Sequence, residues 1–164
     1  MDAQYWIEKL ALLPHPEGGH YRETFRSNEE IKQENLPQRY AGNRNFGTAI
    51  YYLLEGFDRS RFHVLKSDEI WYYHSGSSAI IHFLTPEGKY EDRHIGPNPE
   101  RGEQFQVVIP RGTCFAVEVK DRSGYILVGC SVHPGFDFSD FSIPTKEFLH
   151  ERYPAHRELV ERLG

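Results

Sequence analysis

Hydrophobic and polar residues alternate along residues 46–132 in a pattern that predicts a chain built mainly of β-strands. Short runs rich in β-branched and aromatic residues are separated by turns containing glycine or proline. The predicted strands are 48–54, 59–65, 69–74, 79–84, 89–95, 104–109, 113–119 and 125–132. Many short strands at regular spacing are typical of a β-sandwich, a jelly roll or a barrel.

The two ends of the chain show helical spacing instead. Asp2 is placed to cap a first helix, in which apolar residues recur at Trp6, Ile7, Leu10 and Ala11. Residues 20–26 then form a further strand, and the polar stretch 27–45 is expected to be a surface loop. Residues 145–152 and 154–163 predict a helical tail. We therefore expect residues 1–164 to form a single domain, with its barrel at about 19–142.

Charge and composition exclude several classes of partner. The net charge is −5 and no basic stripe is present, so nucleic acid is not an expected partner. No apolar stretch reaches the ~20 residues of a membrane span, and the first residues do not resemble a secretion signal. Cys114 and Cys130 are not in a C-x-x-C pair, so free buried thiols are expected. A cytoplasmic location follows as an expectation.

The segment from Ser60 to Gly76 carries the chemistry that stands out most. If residues 59–65 and 69–73 form a hairpin, His63 lies opposite Glu69, and their Cβ atoms are ~5 Å apart. A carboxylate at that distance fixes the imidazole tautomer, which is typical of a base with its orienting partner. The same two side chains are also compatible with two ligands of a metal site.

Strand alternation extends this candidate site to neighbouring residues. Arg61, Trp71 and Tyr73 share the inward face with His63 and Glu69, so Trp71 supplies an aromatic wall and Tyr73 a candidate acid. On the first strand, Arg22, Thr24 and Arg26 share one face. The predicted catalytic residues are His63, Glu69 and Tyr73, and the predicted ligand-binding residues are Arg22, Thr24, Ser60, Arg61 and Trp71.

Three motifs in order resemble the cupin superfamily. The spacing of His63, Glu69 and Gly76 is similar to the first cupin motif, and Pro110 and Gly112 match part of the second. More specifically, the chain resembles an uncharacterised cupin family with the motifs E-G-G-x-Y-R, F-H-x-L-x-x-D-E-x-W and P-G-F-x-F-x-D-F. Here these motifs begin at Glu17, Phe62 and Pro134. The resemblance implies an all-β fold, the cupin-type double-stranded β-helix or jelly roll, with short N-terminal and C-terminal helices.

The resemblance also indicates where this chain departs from metal-binding cupins, which use three histidines and one glutamate. The second histidine position is Leu65, and the histidine position of the second motif is Phe115. Because two of the four ligands are missing, neither a tightly bound metal nor another cofactor is expected. The turn Glu17–Gly19 can present backbone N–H groups to an anion.

These features predict a polar, anionic small-molecule ligand of nucleotide or nucleotide-sugar type. Trp71 and Tyr73 offer flat faces to a ring, and Arg22 or Arg61 can bind phosphate oxygens. One alternative is a metal-independent sugar epimerase or isomerase with His63 as base, which resembles the dTDP-sugar epimerases. A second alternative is a metal-dependent dioxygenase or isomerase. A homodimer is also expected, with the strand 20–26 as a candidate for exchange between copies.

Overall fold

Two antiparallel sheets enclose one hydrophobic core in the computed structural model, which describes residues 1–164. The strands are β1 (Leu13–Pro14), β2 (His20–Arg26), β3 (Glu30–Ile31), β4 (Arg44–Asn45), β5 (Thr48–Glu55), β6 (Ser60–Leu65), β7 (Asp68–Gly76), β8 (Ala79–Leu84), β9 (Tyr90–Ile95), β10 (Gln106–Ile109), β11 (Cys114–Val119), β12 (Tyr125–His133) and β13 (Phe141–Ser142). The predicted mainly-β architecture is confirmed.

The six-stranded sheet has the order β1-β2-β5-β12-β7-β10, and the five-stranded sheet has the order β13-β6-β11-β8-β9. Their inward side chains form the main core, in which Trp71 from the first sheet packs with Phe115 from the second. Both rings are almost completely buried. Alternation along each strand therefore fills the space between the sheets and leaves one end of it open as a cavity.

Three short helices cover the outer faces: α1 (Ala3–Lys9), α2 (Lys146–Arg152) and α3 (Arg157–Leu163). Asp2 caps α1 as predicted, because its Oδ1 accepts a hydrogen bond of 2.9 Å from the Tyr5 amide. Helix α1 packs on Leu53 and Leu127 of the six-stranded sheet. Helices α2 and α3 pack on the other sheet through Leu149 and Val160. None of these helices has the length and apolar character needed to cross a bilayer.

Strands β6 and β7 do not form the hairpin predicted from the sequence. Strand β6 pairs with β11 and β13, whereas β7 pairs with β12 and β10. His63 is therefore opposite Phe115, and Glu69 is opposite Val132 and Ile109. The chain crosses from one sheet to the other at Lys66 and Ser67. Each strand has one apolar face, and the core between the sheets buries both faces even though the strands lie in different sheets. Alternation shows which face is buried but not which sheet a strand joins.

The stretch 27–45 is more than the predicted surface loop. It contains the pair β3 and β4, and it buries Arg44 against the segment that follows β12. The Arg44 guanidinium binds both carboxylate oxygens of Asp140, with Nε–Oδ2 at 2.6 Å and Nη2–Oδ1 at 2.7 Å. A two-bond pair of this kind fixes orientation as well as distance. It holds residues 136–141 against the open end of the barrel.

The turn before β2 places Glu17 inside the barrel. Gly18 has φ +117°, and a Cβ built on it would lie 2.0 Å from the Arg59 carbonyl oxygen. Only glycine can adopt this backbone and allow this approach. The Glu17 carbonyl then accepts a hydrogen bond of 2.9 Å from the Arg61 amide. The turn is thus fixed to the start of β6, and the Glu17 side chain is buried.

Gly18→Ala is expected to destabilise the fold by about 4 kcal/mol, the sum of backbone strain and overpacking against Arg59. Gly88→Ala is the matched control, since Gly88 also has positive φ (+86°) but nothing lies within 4 Å of its added Cβ. That control should lose only about 1–2 kcal/mol. Urea unfolding of both variants measures the difference. Equal losses would contradict the tight contact at Gly18.

Candidate functional site

A cavity of about 430 Å³ opens at one end of the barrel. This volume is within the usual range for small-molecule sites. Strands β2, β5, β6, β7 and β12 form its wall, with residues from the turn before β2 and from the segment after β12. It is lined by His15, Glu17, Tyr21, Glu23, Arg26, Thr48, Ile50, Tyr52, His63, Leu65, Glu69, Trp71, Cys130, Val132, Phe136, Asp137, Phe138 and Phe141.

His63 is held at both ring nitrogens by protein groups. Nδ1 lies 2.7 Å from the Arg61 carbonyl oxygen, which can only accept, so Nδ1 carries a proton. Nε2 lies 3.0 Å from Glu17 Oε2. The other oxygen of Glu17 accepts a 2.9 Å hydrogen bond from Ser60 Oγ. Glu17 is therefore the carboxyl that orients His63, and the sequence-based assignment of that role to Glu69 is wrong.

A single proton joins Glu17 and His63. An unprotonated Nε2 and a carboxylate would repel at 3.0 Å, so one of the two atoms carries hydrogen. Burial lowers the pKa of His63 to about 4 and raises the pKa of Glu17. Both shifts favour the neutral pair, in which the Glu17 carboxylic acid donates to His63 Nε2. Glu17 lines the cavity, so this shared proton lies at the wall of the site.

Glu69 and Trp71 form the part of the wall contributed by β7. Burial raises the pKa of Glu69 to about 8, so this carboxyl is mostly protonated at neutral pH. The Trp71 indole nitrogen is fully buried and makes no hydrogen bond of normal geometry in the protein, although it lies close enough to Glu69 to lower the pKa of that carboxyl against the effect of burial. A buried donor without a partner is unfavourable. A ligand acceptor in the cavity can satisfy it.

The mouth of the cavity differs from its interior in being charged and exposed. Arg26 Nε and Nη2 donate to the two carboxylate oxygens of Glu23 at 2.9 and 2.7 Å. Arg26 Nη1 donates to Asn45 Oδ1 at 2.8 Å and to the Phe136 carbonyl oxygen at 3.1 Å. Phe138 also lines the mouth, although 54% of its surface is exposed. Polar groups and an exposed aromatic face thus meet at the entrance.

Of the residues predicted on β6 and β7, the structure places His63, Glu69 and Trp71 in the cavity wall. Ser60 lies behind Glu17, where it is completely buried. Arg61 is exposed and its Nη2 donates to the Pro16 carbonyl oxygen at 2.6 Å. The cause is a β-bulge, since Phe115 pairs with His63 but Val117 pairs with Ser60. One extra residue in β6 breaks the alternation that predicted Arg61 inside.

Tyr73 is half-buried, and its hydroxyl donates to the Gly76 carbonyl oxygen at 2.7 Å. It packs against the main core but does not line the cavity. Strand alternation correctly predicts that Tyr73 is on the inward face of β7. The strand extends beyond the cavity, however, so Tyr73 packs in the core instead of lining the site. The tyrosines that do line the cavity are Tyr21 and Tyr52.

A second bulge changes the face of β2. Glu23 pairs with Ile50 and Phe25 with Ala49, which leaves Thr24 as the extra residue. Arg22 lies between the cavity-lining Tyr21 and Glu23, so ordinary alternation turns it outward. Thr24 is also exposed, and its Oγ1 donates to the Ala49 carbonyl oxygen at 3.1 Å. The prediction that Arg26 shares their face is wrong, because the bulge returns Arg26 to the side that lines the cavity.

Sequence reasoning missed Glu17, the residue that contacts His63. Its signal was the pair of glycines that follows it, which we interpreted as a turn whose backbone N–H groups can contact an anion. Gly18 does form that turn, and its carbonyl oxygen accepts a 2.8 Å hydrogen bond from Tyr52 Oη. His15 also lies beside Glu17, with Nδ1 at 3.7 Å from Oε2. Long-range packing of the N-terminal segment brings these groups to β6.

The residues present do not fit the metal of metal-binding cupins. No group of three or more His, Cys, Asp or Glu side chains is arranged to hold a metal ion. Phe115 fills one of the ligand positions, and its ring centroid lies 4.0 Å from that of His63. Both nitrogens of His63 are already engaged by Arg61 and Glu17.

Comparisons with known proteins agree with this geometry. The family model described as "Cupin superfamily (DUF985)" matches residues 4–144. The uncharacterized protein YML079W of Saccharomyces cerevisiae is 30% identical over 155 residues, which cover 84% of this chain and 72% of the yeast protein. Protein SO0799 from Shewanella oneidensis is 35% identical, with a TM-score of 0.90 and coverage of 100% and 98%. The predicted resemblance is confirmed.

A more distant structure supports the fold alone. Oxalate decarboxylase from Bacillus subtilis is 16% identical with a TM-score of 0.55, over 92% of this chain and 36% of that protein. The predicted cupin jelly roll is confirmed by this likeness together with the family match.

The raised pKa of Glu69 predicts a specific pH dependence of stability. Below about pH 4.5 the folded and unfolded states both hold the proton; between 4.5 and about 8 only the folded state keeps it. Stability from this group is therefore greatest at low pH and is lost as pH rises to about 8. Glu69→Gln removes the effect, so its free energy of unfolding relative to the wild type should rise by up to about 5 kcal/mol across this window.

Urea unfolding of both proteins at several pH values between 4.5 and 9 measures the difference. Glu34→Gln, at an exposed position, is the control and should show a constant difference. A constant difference for Glu69→Gln as well would show that Glu69 ionises normally.

Proposed function

Because this chain belongs to the Cupin superfamily (DUF985) family, whose match covers residues 4–144, we propose that it binds a polar small molecule of nucleotide or nucleotide-sugar type in the barrel cavity. The observation that carries the proposal is the Trp71 indole, which lines the cavity and whose N–H is fully buried without a hydrogen-bond partner of normal geometry in the protein. Buried polar groups are normally paired. A bound acceptor is the partner we propose for it.

The interior of the cavity suits the sugar part of such a ligand. Tyr21, Tyr52 and Trp71 supply aromatic surface. Glu69 is favoured in its neutral form, so it can both donate and accept hydrogen bonds, whereas Glu17 donates its proton to His63 and can only accept from a ligand. Neutral carboxyl groups and an indole N–H complement sugar hydroxyls without requiring a charge on the buried part of the ligand.

The mouth of the cavity suits the charged phosphate and the aromatic base of the proposed ligand. Arg22 and Arg61, to which the sequence assigned phosphate binding, lie outside the cavity, and Arg26 is the guanidinium at its entrance. Phe138 exposes a flat face beside it. We therefore place the proposed phosphate near Arg26 and the base near Phe138, with the sugar inside.

Turnover by a metal-independent isomerase or epimerase is the second candidate, favoured by the proton shared between Glu17 and His63. His63 contacts Glu17 and Arg61 through its two nitrogens, so Glu17 is the group that would exchange a proton with a substrate. The step that balances is proton uptake: Glu17 accepts a proton from the substrate while its own proton passes to His63 Nε2, so the positive charge rests on the imidazolium. In this proposal His63 keeps the role of base that the sequence gave it, but it acts through Glu17.

We also propose a cytoplasmic homodimer. Strand β1 covers only the first two residues of β2, at His20 and Tyr21. The rest of β2 is a sheet edge that carries Phe25, 56% exposed. Edges of this kind pair readily with a second chain. Cys114 and Cys130 are both free and buried, which suits a reducing compartment.

Ligand binding is expected to raise the melting temperature of the wild type with dTDP-glucose, by stabilisation of about 2.7 kcal/mol at a hundredfold excess over Kd. Thymidine diphosphate, glucose and citrate complete the panel. Trp71→Phe should weaken binding of dTDP-glucose about fivefold, since one neutral hydrogen bond contributes about 1 kcal/mol. Trp6→Phe is the matched control, because the Trp6 indole N–H is bound to Tyr125 Oη outside the cavity.

Trp6→Phe also leaves Trp71 as the remaining indole of the two in the chain. Its fluorescence then reports directly on the cavity wall and should change when ligand is added. A shift with glucose alone, equal to that with dTDP-glucose, would reject the nucleotide part of the proposal. No shift with any member of the panel would reject the proposed ligand class.

A further inference from the structure

The geometry points to an anion subsite at the mouth of the cavity, formed by Arg26 and masked by Glu23. In this subsite Glu23 occupies the positions that two oxygens of a phosphate would take, and the ligand displaces it. The inference deepens the proposed function and rests on it for the statement that the bound group belongs to a phosphate-bearing ligand. Glu23 then determines how strongly the cavity selects against anionic ligands.

The contact between Arg26 and Glu23 has the shape of an arginine-anion pair. Nε faces Oε1 at 2.9 Å and Nη2 faces Oε2 at 2.7 Å, so two parallel bonds join the guanidinium edge to the carboxylate. Phosphate oxygens bind the same edge in the same way. Both side chains line the cavity. An anion that enters the mouth therefore meets a site already shaped for it, but occupied.

The guanidinium is held independently of Glu23. Nη1 donates to Asn45 Oδ1 at 2.8 Å and to the Phe136 carbonyl oxygen at 3.1 Å. These two contacts come from the opposite edge of the group, and Asn45 is itself fixed through a 2.8 Å bond from Nδ2 to the Ser27 carbonyl oxygen. When Glu23 leaves, these contacts still hold the guanidinium, and its Nε and Nη2 donors become free for an anion.

The exchange of Glu23 for a ligand is favoured by exposure. The side chains of Arg26 and Glu23 are 37% and 40% exposed, and ion pairs at this level of exposure are weak. Asp137 lines the same mouth, with its carboxylate bound to the Ser139 amide at 2.8 Å. Two carboxylates therefore oppose one guanidinium in the wild type. Neutralising Glu23 leaves one carboxylate, Asp137, and one guanidinium, Arg26, at the mouth.

The test measures binding of inorganic pyrophosphate by isothermal titration calorimetry to the wild type and to Glu23→Gln. The variant is expected to bind at least tenfold more tightly. Glu91→Gln is the matched control, because Glu91 forms a similarly exposed pair with Arg93 on β9, away from the cavity. Its affinity for pyrophosphate should equal that of the wild type. Melting temperatures confirm that the variants are folded.

The double variant Glu23→Gln/Arg26→Lys keeps the positive charge but removes the guanidinium edge that can form two parallel hydrogen bonds. It should therefore lose the tenfold gain in pyrophosphate affinity. A gain retained in the double variant would mean that net charge alone is responsible, and would overturn the subsite. Equal affinity of Glu23→Gln and wild type, or no binding to either, would also overturn it. These outcomes are separate from the proposed function, which fails instead if no member of the ligand panel shifts the melting temperature of the wild type.

Discussion

The hydrogen bond between Glu17 and His63 is the contact on which the site depends. It joins the N-terminal segment to the five-stranded sheet across the open end of the barrel, and burial favours its neutral form, a carboxylic acid bound to an imidazole. The Gly18 turn brings Glu17 to this position, and Ser60 and the Arg61 carbonyl complete its surroundings. A carboxylic acid and an imidazole that share one proton need no outside charge to be stable there.

The interior of the cavity, where this contact lies, differs in polarity from the mouth. The interior contains groups that are ionisable but favoured in their neutral forms, whereas the mouth contains groups that are charged and paired with one another. Water reaches the mouth, where Arg26 and Glu23 are more than one-third exposed. It is largely excluded from Trp71 and Glu69. Recognition inside is therefore by hydrogen-bond geometry, and recognition at the entrance is by charge.

Much of the fold could be predicted from the sequence, because strand alternation, turn residues and helix caps are local signals. The strand His20–Arg26 and the N-cap at Asp2 were placed correctly. The site was predicted in part: three of the eight candidate residues line the cavity, namely His63, Glu69 and Trp71. Arg61 was misplaced because one extra residue in β6 reverses the alternation, and the bulge in β2 brings Arg26 to the cavity while Arg22 and Thr24 stay outside; hydropathy does not show a bulge.

The partner of His63 could not be predicted for a different reason. Glu17 is 46 positions away by residue number and reaches β6 through a turn that only the packed structure fixes. The sheet that a strand joins is also decided by the whole core. A hairpin between β6 and β7 satisfied every local signal, yet each strand pairs within a different sheet. Register and sheet choice are long-range properties, so a single sequence leaves them open.

The buried pair of Arg44 and Asp140 joins two distant parts of the chain at the rim of the cavity. Arg44 belongs to the stretch before β5 and Asp140 to the segment after β12, and Arg44 also binds the Ser139 hydroxyl at 3.0 Å. Residues 136–141 can therefore not be exchanged alone. A chimaera that takes this rim from another cupin to change ligand choice must take the matching 27–45 stretch with it, or an arginine is left buried without its anion.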